Sequence, residues 1–416
     1  MYSFGLHYFI YNARWLYIIF FFPNREKIKS KVHFGTLINL YDVLIVGGGP
    51  IGLRVAQRAA EAGFEVNVLE KDRCIGTPVR CAGLVSPRVV AMTKTNSVID
   101  EFSKATIHPP NSEELVLEAP ESRAFVLDRA AFDKEMAKRS IEAGAEIELG
   151  CKAIDTKGDE LVYLKDGFKG RVKAKMMIGA DGPSSIIRRV SGLSGPREII
   201  PGIQAVVGEK SNGIHIYIGN EIAPGFFAWS VPHTAGTVYG LGANDGRAYE
   251  HLINFLKSKS VDDKVLGIQA GSIPLGVMDK TVGDGLMLVG DAACQVKPLS
   301  GGGLYTGLVA ADHCADVLIE SLETGNISAE FLEEYHRRWQ RDLKRELSKG
   351  LWMRRIYCGF SDKELDKLFD ALRGEKILDV IGERGDIDYP SALAKSVLKT
   401  SPKLLKFAGP LIKNLF

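Results

Sequence analysis

Three features of the sequence predict an α/β fold with a β-rich domain inserted into it and a helical C-terminal region. From Tyr41 a short apolar run feeds a glycine cluster and then a helical stretch ending at Gly63, as in a strand, turn and helix of a parallel sheet. From Pro201 to Leu275 short strands (Gln204 to Val207, Ile214 to Ile218, Phe226 to Val231, Thr237 to Leu241) alternate with turns, with one helix near Tyr249 to Lys257. Beyond Ile327 the apolar residues recur at helical spacing, over Ile327 to Lys349 and Lys363 to Arg373.

Val43 to Val46 read as a buried strand, and Gly47-x-Gly49-x-x-Gly52 after it fits the dinucleotide-binding fingerprint. One glycine turns the chain, one lets backbone approach a pyrophosphate, and one packs helix on strand. The helix N-terminus then faces the phosphates. Phe64 to Glu70 is a second strand ending in an acid, and a carboxylate there accepts the hydroxyls of an adenosine ribose, which makes Glu70 the expected ribose ligand. The loop from Lys71 to Pro87 is too rich in small residues for a regular element and returns over the nucleotide. Its chemical content is Arg80 and Cys81: the arginine suits a pyrophosphate or a flavin edge, against a plain surface arginine beside a cysteine that only packs.

Glu114 to Glu118 and Ala124 to Leu127 alternate as half-exposed strands do, and Asp128 to Gly144 follows with helical periodicity. Ala145 to Leu149 is a strand, Lys157 to Gly170 a hairpin, and Met176 to Gly182 a buried strand ending in Asp-Gly, a place where α/β sheets put ligands. Gly285 to Asp291 is another buried strand. The stretch Pro298 to Gly307 then opens a long apolar helix from Leu304 to Leu322, with Gly301 to Gly303 presenting bare amides at its start.

The chain of 416 residues is 45% hydrophobic and 25% charged, which excludes disorder, and its formal net charge of +2 gives no field for nucleic acid. Six cysteines stand far apart, so a reducing compartment is expected, with no disulfide framework and no metal site. Residues 1–40 form an N-terminal extension whose apolar run, Trp15 to Phe22, is shorter than the ~20 residues a spanning helix needs. The expected division is a nucleotide domain from residues 41–85, 128–190 and 281–325, a substrate domain from 86–127 and 191–280, and a helical region from 326 to 416.

The glycine triplet with Glu70, the helix start Leu127-Asp-Arg129-x-x-Phe-Asp133, Gly179-Ala-Asp-Gly182 and Gly290-Asp-Ala-Ala293 resemble, in order and spacing, the Rossmann-like flavoprotein fold of aromatic hydroxylases. Within that fold, Pro78-Val-Arg-Cys81 and Pro224-Gly-Phe-Phe-Ala-Trp-Ser-Val-Pro232 resemble the geranylgeranyl reductase family, whose archaeal members saturate membrane ether lipids. Phe227 stands where that family's pattern has a tyrosine, and Val231 replaces a second aromatic. The resemblance implies FAD as cofactor, contacted by Ile51, Glu70, Cys81, Ala82, Gly83, Arg129, Ala153, Asp291, Gly303 and Leu304. It implies an isoprenoid lipid substrate against Phe227 and Trp229, with Phe226 on the opposite face of the strand by alternation. It places Cys81 near the flavin as proton relay, redox partner or packing residue, and leaves the reductant open among a nicotinamide, a deazaflavin and ferredoxin. The protein is expected in the cytoplasm, at the membrane surface, to which the apolar, lysine-bearing stretch from Leu404 to Phe416 would contribute. The competing reading is an FAD-dependent monooxygenase of an aromatic or polycyclic substrate, which oxygen consumption would reveal.

Overall fold

The computed structural model describes residues 40–157 and 160–407; the apolar run from Trp15 to Phe22 and everything beyond Phe407 lie outside them. Its first layer is an eight-stranded sheet. The parallel strands run in the order Leu286–Leu288, Phe168–Gly179, Leu40–Val46, Val66–Glu70 and Glu146–Leu149. Buried on both faces, the strand Leu40–Val46 carries Val43, Leu44, Ile45 and Val46 at 0 to 3% exposure, which is why it reads as a continuous apolar run without alternation. The helices Pro50–Glu61 and Leu304–Thr324 cover one face and pair through Arg54 with Asp312 (2.8 Å) and Arg58 with Asp316 (2.7 Å).

A second sheet of seven strands comes from two separated stretches of chain. Its order is Val265–Leu275, Glu198–Val207, Gly236–Gly242, Ala228–His233, Ile214–Tyr217, Lys104–His108 and Leu115–Glu118. Only the pairing of Ile214–Tyr217 with Lys104–His108 is parallel; it joins residues more than a hundred positions apart. The helix Ala248–Ser258 packs Leu252, Phe255 and Leu256 on one face of this sheet. A small third sheet, Leu84–Val85, Ala124–Leu127 and Val98–Phe102, lies beside the loop that carries Arg80 and Cys81.

The structure departs from the sequence expectations in several places. The single helix expected over Ile327 to Lys349 is two helices, Ala329–Trp339 and Arg345–Cys358, joined by a π-helical turn at Gln340–Lys344. Helix Pro87–Thr93 was not anticipated, nor were the strands Val98–Phe102, Lys104–His108 and Val265–Leu275, whereas Glu375–Arg384 and Pro390–Thr400 fall in the helical region expected from 326 to 416. Of the stretch expected at a membrane surface, only residues 404–407 are described, and Leu404 is buried with Ile377 and Val397. Among the described residues no helix is long and apolar enough to cross a membrane.

Candidate active site

The glycine turn lies where the strand Leu40–Val46 ends. Gly47 has φ +112°, and a Cβ there would fall 2.3 Å from the carbonyl oxygen of Ala180, so the turn requires glycine for both conformation and closeness. Gly52 is required by closeness alone, since a Cβ there would fall 2.3 Å from the Gly47 carbonyl oxygen. Gly49 differs: a Cβ there would meet nothing within 4 Å. Protein packing does not demand this glycine, so the open space above it fits a phosphate brought against bare backbone. Gly49 caps the helix and Pro50 opens it, leaving the amides of Ile51 and Gly52 as donors at the N-terminus. The Ile51 side chain wedges against Gly290 and Gly307, so any cofactor contact at Ile51 is made by its backbone.

Glu70 sits at the end of its strand, as expected. Its carboxylate already accepts from two amides, Gly48 N at 2.7 Å and Asp72 N at 2.8 Å. Each carboxylate oxygen has a second lone pair, so the pair of bonds orients the group and leaves capacity for ribose hydroxyls. Arg80 is exposed, 3.4 Å from Asp72, at the rim of the cleft. The loop that carries it is tied to the second sheet by Gln204, whose amide donates to the carbonyls of Val79 and Cys81 (both 3.4 Å). Gly83, at φ +79°, lies against the carbonyl of Leu127 and positions Cys81 and Ala82 over the helix Arg129–Glu142.

Arg129 is the electrostatic centre of the site. Its guanidinium bonds Asp133 at 2.9 Å and faces the Cys81 thiol and Asp291. Burial works against its charge, yet Asp133 and Cys81 together raise its pKa above the ordinary arginine value. Burial raises the Asp133 carboxyl while Arg129 opposes the change, and burial pushes Asp291 up to about 6, again against Arg129. Cys81 otherwise accepts from Gly83 N at 3.4 Å, a contact that orders the loop.

Asp291 follows the strand Leu286–Leu288 in a 3-10 turn, Gly290–Ala293. Gln295 fixes the turn by accepting from Gly290 N (2.7 Å) and donating to Tyr335 Oη (2.9 Å), which donates to the Leu288 carbonyl (2.7 Å). Arg188 adds a bond to the Ala292 carbonyl at 2.8 Å. A Cβ on Gly303 would fall 2.8 Å from Asp291 Oδ1, which sets the helix start directly against this carboxylate. The three bare amides expected here reduce to fewer: Gly301 N donates to the Lys297 carbonyl (2.9 Å) and Gly302 N to Ser300 Oγ (3.4 Å). The loop closes on itself before the helix begins, so Gly303 and Leu304 are the donors that face the cleft.

The aromatic residues lie beside this loop. Phe226 is 1% exposed and stacks on Phe227 at 4.5 Å, and Phe227 meets Trp229 edge-on at 5.8 Å. Phe226 is core, as expected, but it joins the same cluster as Phe227 and Trp229 because the strand begins only at Ala228 and alternation does not reach back to it. The Phe226 ring touches the position of a Gly301 Cβ (3.1 Å), linking the aromatic wall to the helix start. Trp229 lies across Gly240, and its buried indole N–H has no hydrogen-bond partner among the described residues. An orphan donor of this kind marks a place the protein does not complete by itself.

Two expected features are elsewhere. Asp181, in the turn after Phe168–Gly179, is fully engaged in capping, accepting from Ser185 Oγ (2.5 Å) and Ile186 N (2.7 Å). The Ala153 side chain is buried in the core with Leu69 and Cys151, so a cofactor would meet backbone there. The residues given no role from the sequence were Asp133, Arg188, Gln295 and those of an ionic latch. Only Asp133 had a signal, an acid four residues after Arg129 on a helix.

The latch comes from the C-terminal helical region. Lys297 and Asp388, 8% and 1% exposed, pair at 2.7 Å, and Lys297 also donates to the Ile387 carbonyl at 3.1 Å. Arg88 binds Asp386 through two bonds of 2.8 Å, reaches Asp388 at 3.3 Å, and lies over the rings of Tyr305 and Tyr389. Gly350 presses on Pro298 from the helix Arg345–Cys358. The glycine loop is thus held from outside by residues remote in sequence.

A dinucleotide cleft with a buried arginine and acid, and an aromatic cluster beside the glycine loop, is the arrangement of a flavoprotein. The FAD binding domain family matches residues 40–345. The chain is 33% identical over 407 residues to digeranylgeranylglycerophospholipid reductase 2 of Methanopyrus kandleri, covering 90% of this chain and 100% of that one. It is 33% identical over 370 residues to digeranylgeranylglycerophospholipid reductase of Methanosarcina acetivorans, covering 81% and 90%. A geranylgeranyl bacteriochlorophyll reductase-like protein of Thermoplasma acidophilum superposes with a TM-score of 0.78 at 26% identity, over 90% of this chain and 100% of that one. The p-nitrophenol 4-monooxygenase of Pseudomonas putida shares the fold, with a TM-score of 0.65 at 19% identity. The chain belongs to the geranylgeranyl reductase family of FAD-dependent oxidoreductases.

Proposed function

We propose that this enzyme saturates the double bonds of geranylgeranyl chains in a membrane ether glycerophospholipid. The observation that carries the reading is the wall of Phe227 and Trp229, joined through Phe226 to the helix start at Gly301. FAD, when bound and reduced, supplies a hydride for one carbon of the alkene. The chain's residues bind and position: Glu70 and the amides of Ile51 and Gly52 hold the adenosine and phosphate end, and Asp291 and Gly303 hold the other. Phe227 and Trp229 fix an unactivated alkene in register, an effect on turnover more than on affinity because the lipid leaves one apolar medium for another. Phe227 has no hydroxyl, so a proton for the second carbon comes from another group. Cys81, facing Arg129, is a candidate for that role.

The electrons come from an external donor, whether nicotinamide, deazaflavin or ferredoxin, and the enzyme works at the membrane surface, where its substrate resides. The test is to reduce the purified protein with dithionite, add digeranylgeranylglyceryl phosphate and follow product mass. Gains in steps of two hydrogens support the reading; substrate-dependent oxygen uptake with gain of oxygen mass supports a monooxygenase instead.

A further inference from the structure

On the outer side of the aromatic wall lies a second cleft of about 180 Å³, lined by Arg197, Lys344, Arg355, Asp279, Trp352 and Leu351. Its cations outnumber its carboxylates three to one. None of the three makes an ion pair among the described residues, whereas the adjacent Arg354 is paired with Glu198 at 2.8 Å and lies over Phe226. Lys344 closes the π-helical turn, and Ser348, Leu351, Trp352 and Arg355 continue from it along one side of the helix Arg345–Cys358. Arg197 meets that stripe from the other side, held against Gly276 at the end of the strand Val265–Leu275.

The cleft's inner wall is what gives it a direction. Leu351 both lines the cleft and packs against the buried cluster of Ile200, Phe226, Leu275 and Val296, on which Phe227 and Trp229 also pack. A group held by the cations is therefore one side chain away from the wall that positions the alkene. The volume is below the roughly 300–1,000 Å³ of pockets that enclose whole drug-sized ligands. It admits a polar headgroup and excludes two twenty-carbon chains. The two guanidinium forks and the ammonium are exposed at the cleft, the ammonium also donating to Gln340 Oε1 at 3.0 Å, and they are the donors that a phosphate ester takes.

We infer that Arg197, Lys344 and Arg355 form a phosphate subsite that anchors the headgroup of the lipid whose prenyl chains lie along Phe227 and Trp229. The inference rests on the prenyl-lipid reading above and adds to it a preference for phosphorylated over neutral lipid. The test uses the full FAD-loaded chain with digeranylgeranylglyceryl phosphate and with digeranylgeranylglycerol in the same detergent. The readout is the ratio of the two kcat/KM values. Each of Arg197→Gln and Arg355→Gln is expected to lower that ratio about tenfold, the loss of one charge-assisted contact. Arg355→Lys, which keeps the charge and loses the fork, retains part of it. General damage to the fold would lower both rates and leave the ratio in place. Inorganic phosphate is expected to compete with the phosphorylated lipid only; an equal effect on the neutral lipid would mark a free-anion site and overturn the headgroup assignment. Unchanged ratios in both glutamine variants overturn it as well, with the prenyl reading intact. Failure of the wild type to reduce either lipid removes the prenyl reading and this inference together.

Discussion

Replacing Asp388 by Asn tests whether the C-terminal helical region holds the flavin loop. The substitution keeps an oxygen acceptor near Lys297 and Arg88 and removes only the charge. Arg88 retains its two bonds to Asp386, so the loss falls on Lys297, which is left 8% exposed with only neutral acceptors, the new amide oxygen and the Ile387 carbonyl. At 2.7 Å and an effective dielectric constant of ~20, the lost attraction is about 6 kcal/mol before desolvation is counted. Breaking a buried pair by removing one partner costs about 3–5 kcal/mol, and the retained acceptor places this variant near 3. Chemical denaturation, followed both by tryptophan fluorescence and by release of FAD, measures the loss. The double variant Lys297→Met with Asp388→Leu removes both charges and should return to within about 1 kcal/mol of the wild type, since apolar replacements of buried pairs are often neutral or stabilising. Its FAD should nevertheless dissociate faster than the wild type's, because the tether to residues 386–389 is gone. A single variant within about 1 kcal/mol of the wild type would refute the latch.

Further outcomes are expected at the cofactor cleft. Glu70→Ala should weaken FAD binding by about 1.5–3 kcal/mol, measured by equilibrium dialysis, since each bond involves a charged acceptor; unchanged retention would remove Glu70 from the ribose. Gly303→Val drives a side chain into Asp291 Oδ1, so the flavin midpoint potential should fall in whatever fraction still binds FAD, and a wild-type potential there would contradict the role of the helix start. Asp291, with its pKa raised by burial to about 6, gives the apo protein a pH signature. Its contribution to stability is fully present below the unfolded carboxyl range near 4 and is lost as pH rises through 6, a decline of at most about 3 kcal/mol that Asp291→Asn should abolish in urea titrations. Trp229→Ala should cut prenyl reduction at saturating lipid while FAD content and dithionite reduction stay normal; parallel loss of FAD would make Trp229 a core residue only.

The parts of the site that were legible in the sequence are those a short stretch of backbone dictates. Gly47 and Gly52 are forced by contacts within 2.3 Å, and Glu70 follows from the strand that the turn feeds. The strand Val265–Leu275 escaped notice because its pattern is inverted: Leu266 and Ile268 face solvent at 64% and 36% exposure, while Gly267 and Gln269 take the other face. Lys297 and Asp388 were invisible for another reason. They stand 91 residues apart, and no local pattern distinguishes a lysine bound for the interior from one on the surface. The expectation of bare amides at Gly301 and Gly302 failed because a loop of three glycines can satisfy its own donors before the helix begins.

The π-helical turn at Gln340–Lys344 has a consequence for how this family can diversify. Before the turn, Leu332, Tyr335 and Trp339 belong to the core beneath the nucleotide sheet; after it, Leu351 and Arg354 reach the aromatic wall. One residue of helix is worth about 100° of rotation. Deleting a single residue from the turn would restore regular helix and swing the stretch after Arg345 by that angle, carrying Leu351 and Arg354 off their present partners, Leu347 out of the nucleotide core and Gly350 off Pro298. A one-codon change in this turn thus disturbs the aromatic wall and the flavin loop together. Removing Arg341, an exposed member of the turn, should lower FAD retention and lipid reduction together; full FAD retention with a changed lipid preference would show that the two halves of the helix are separable.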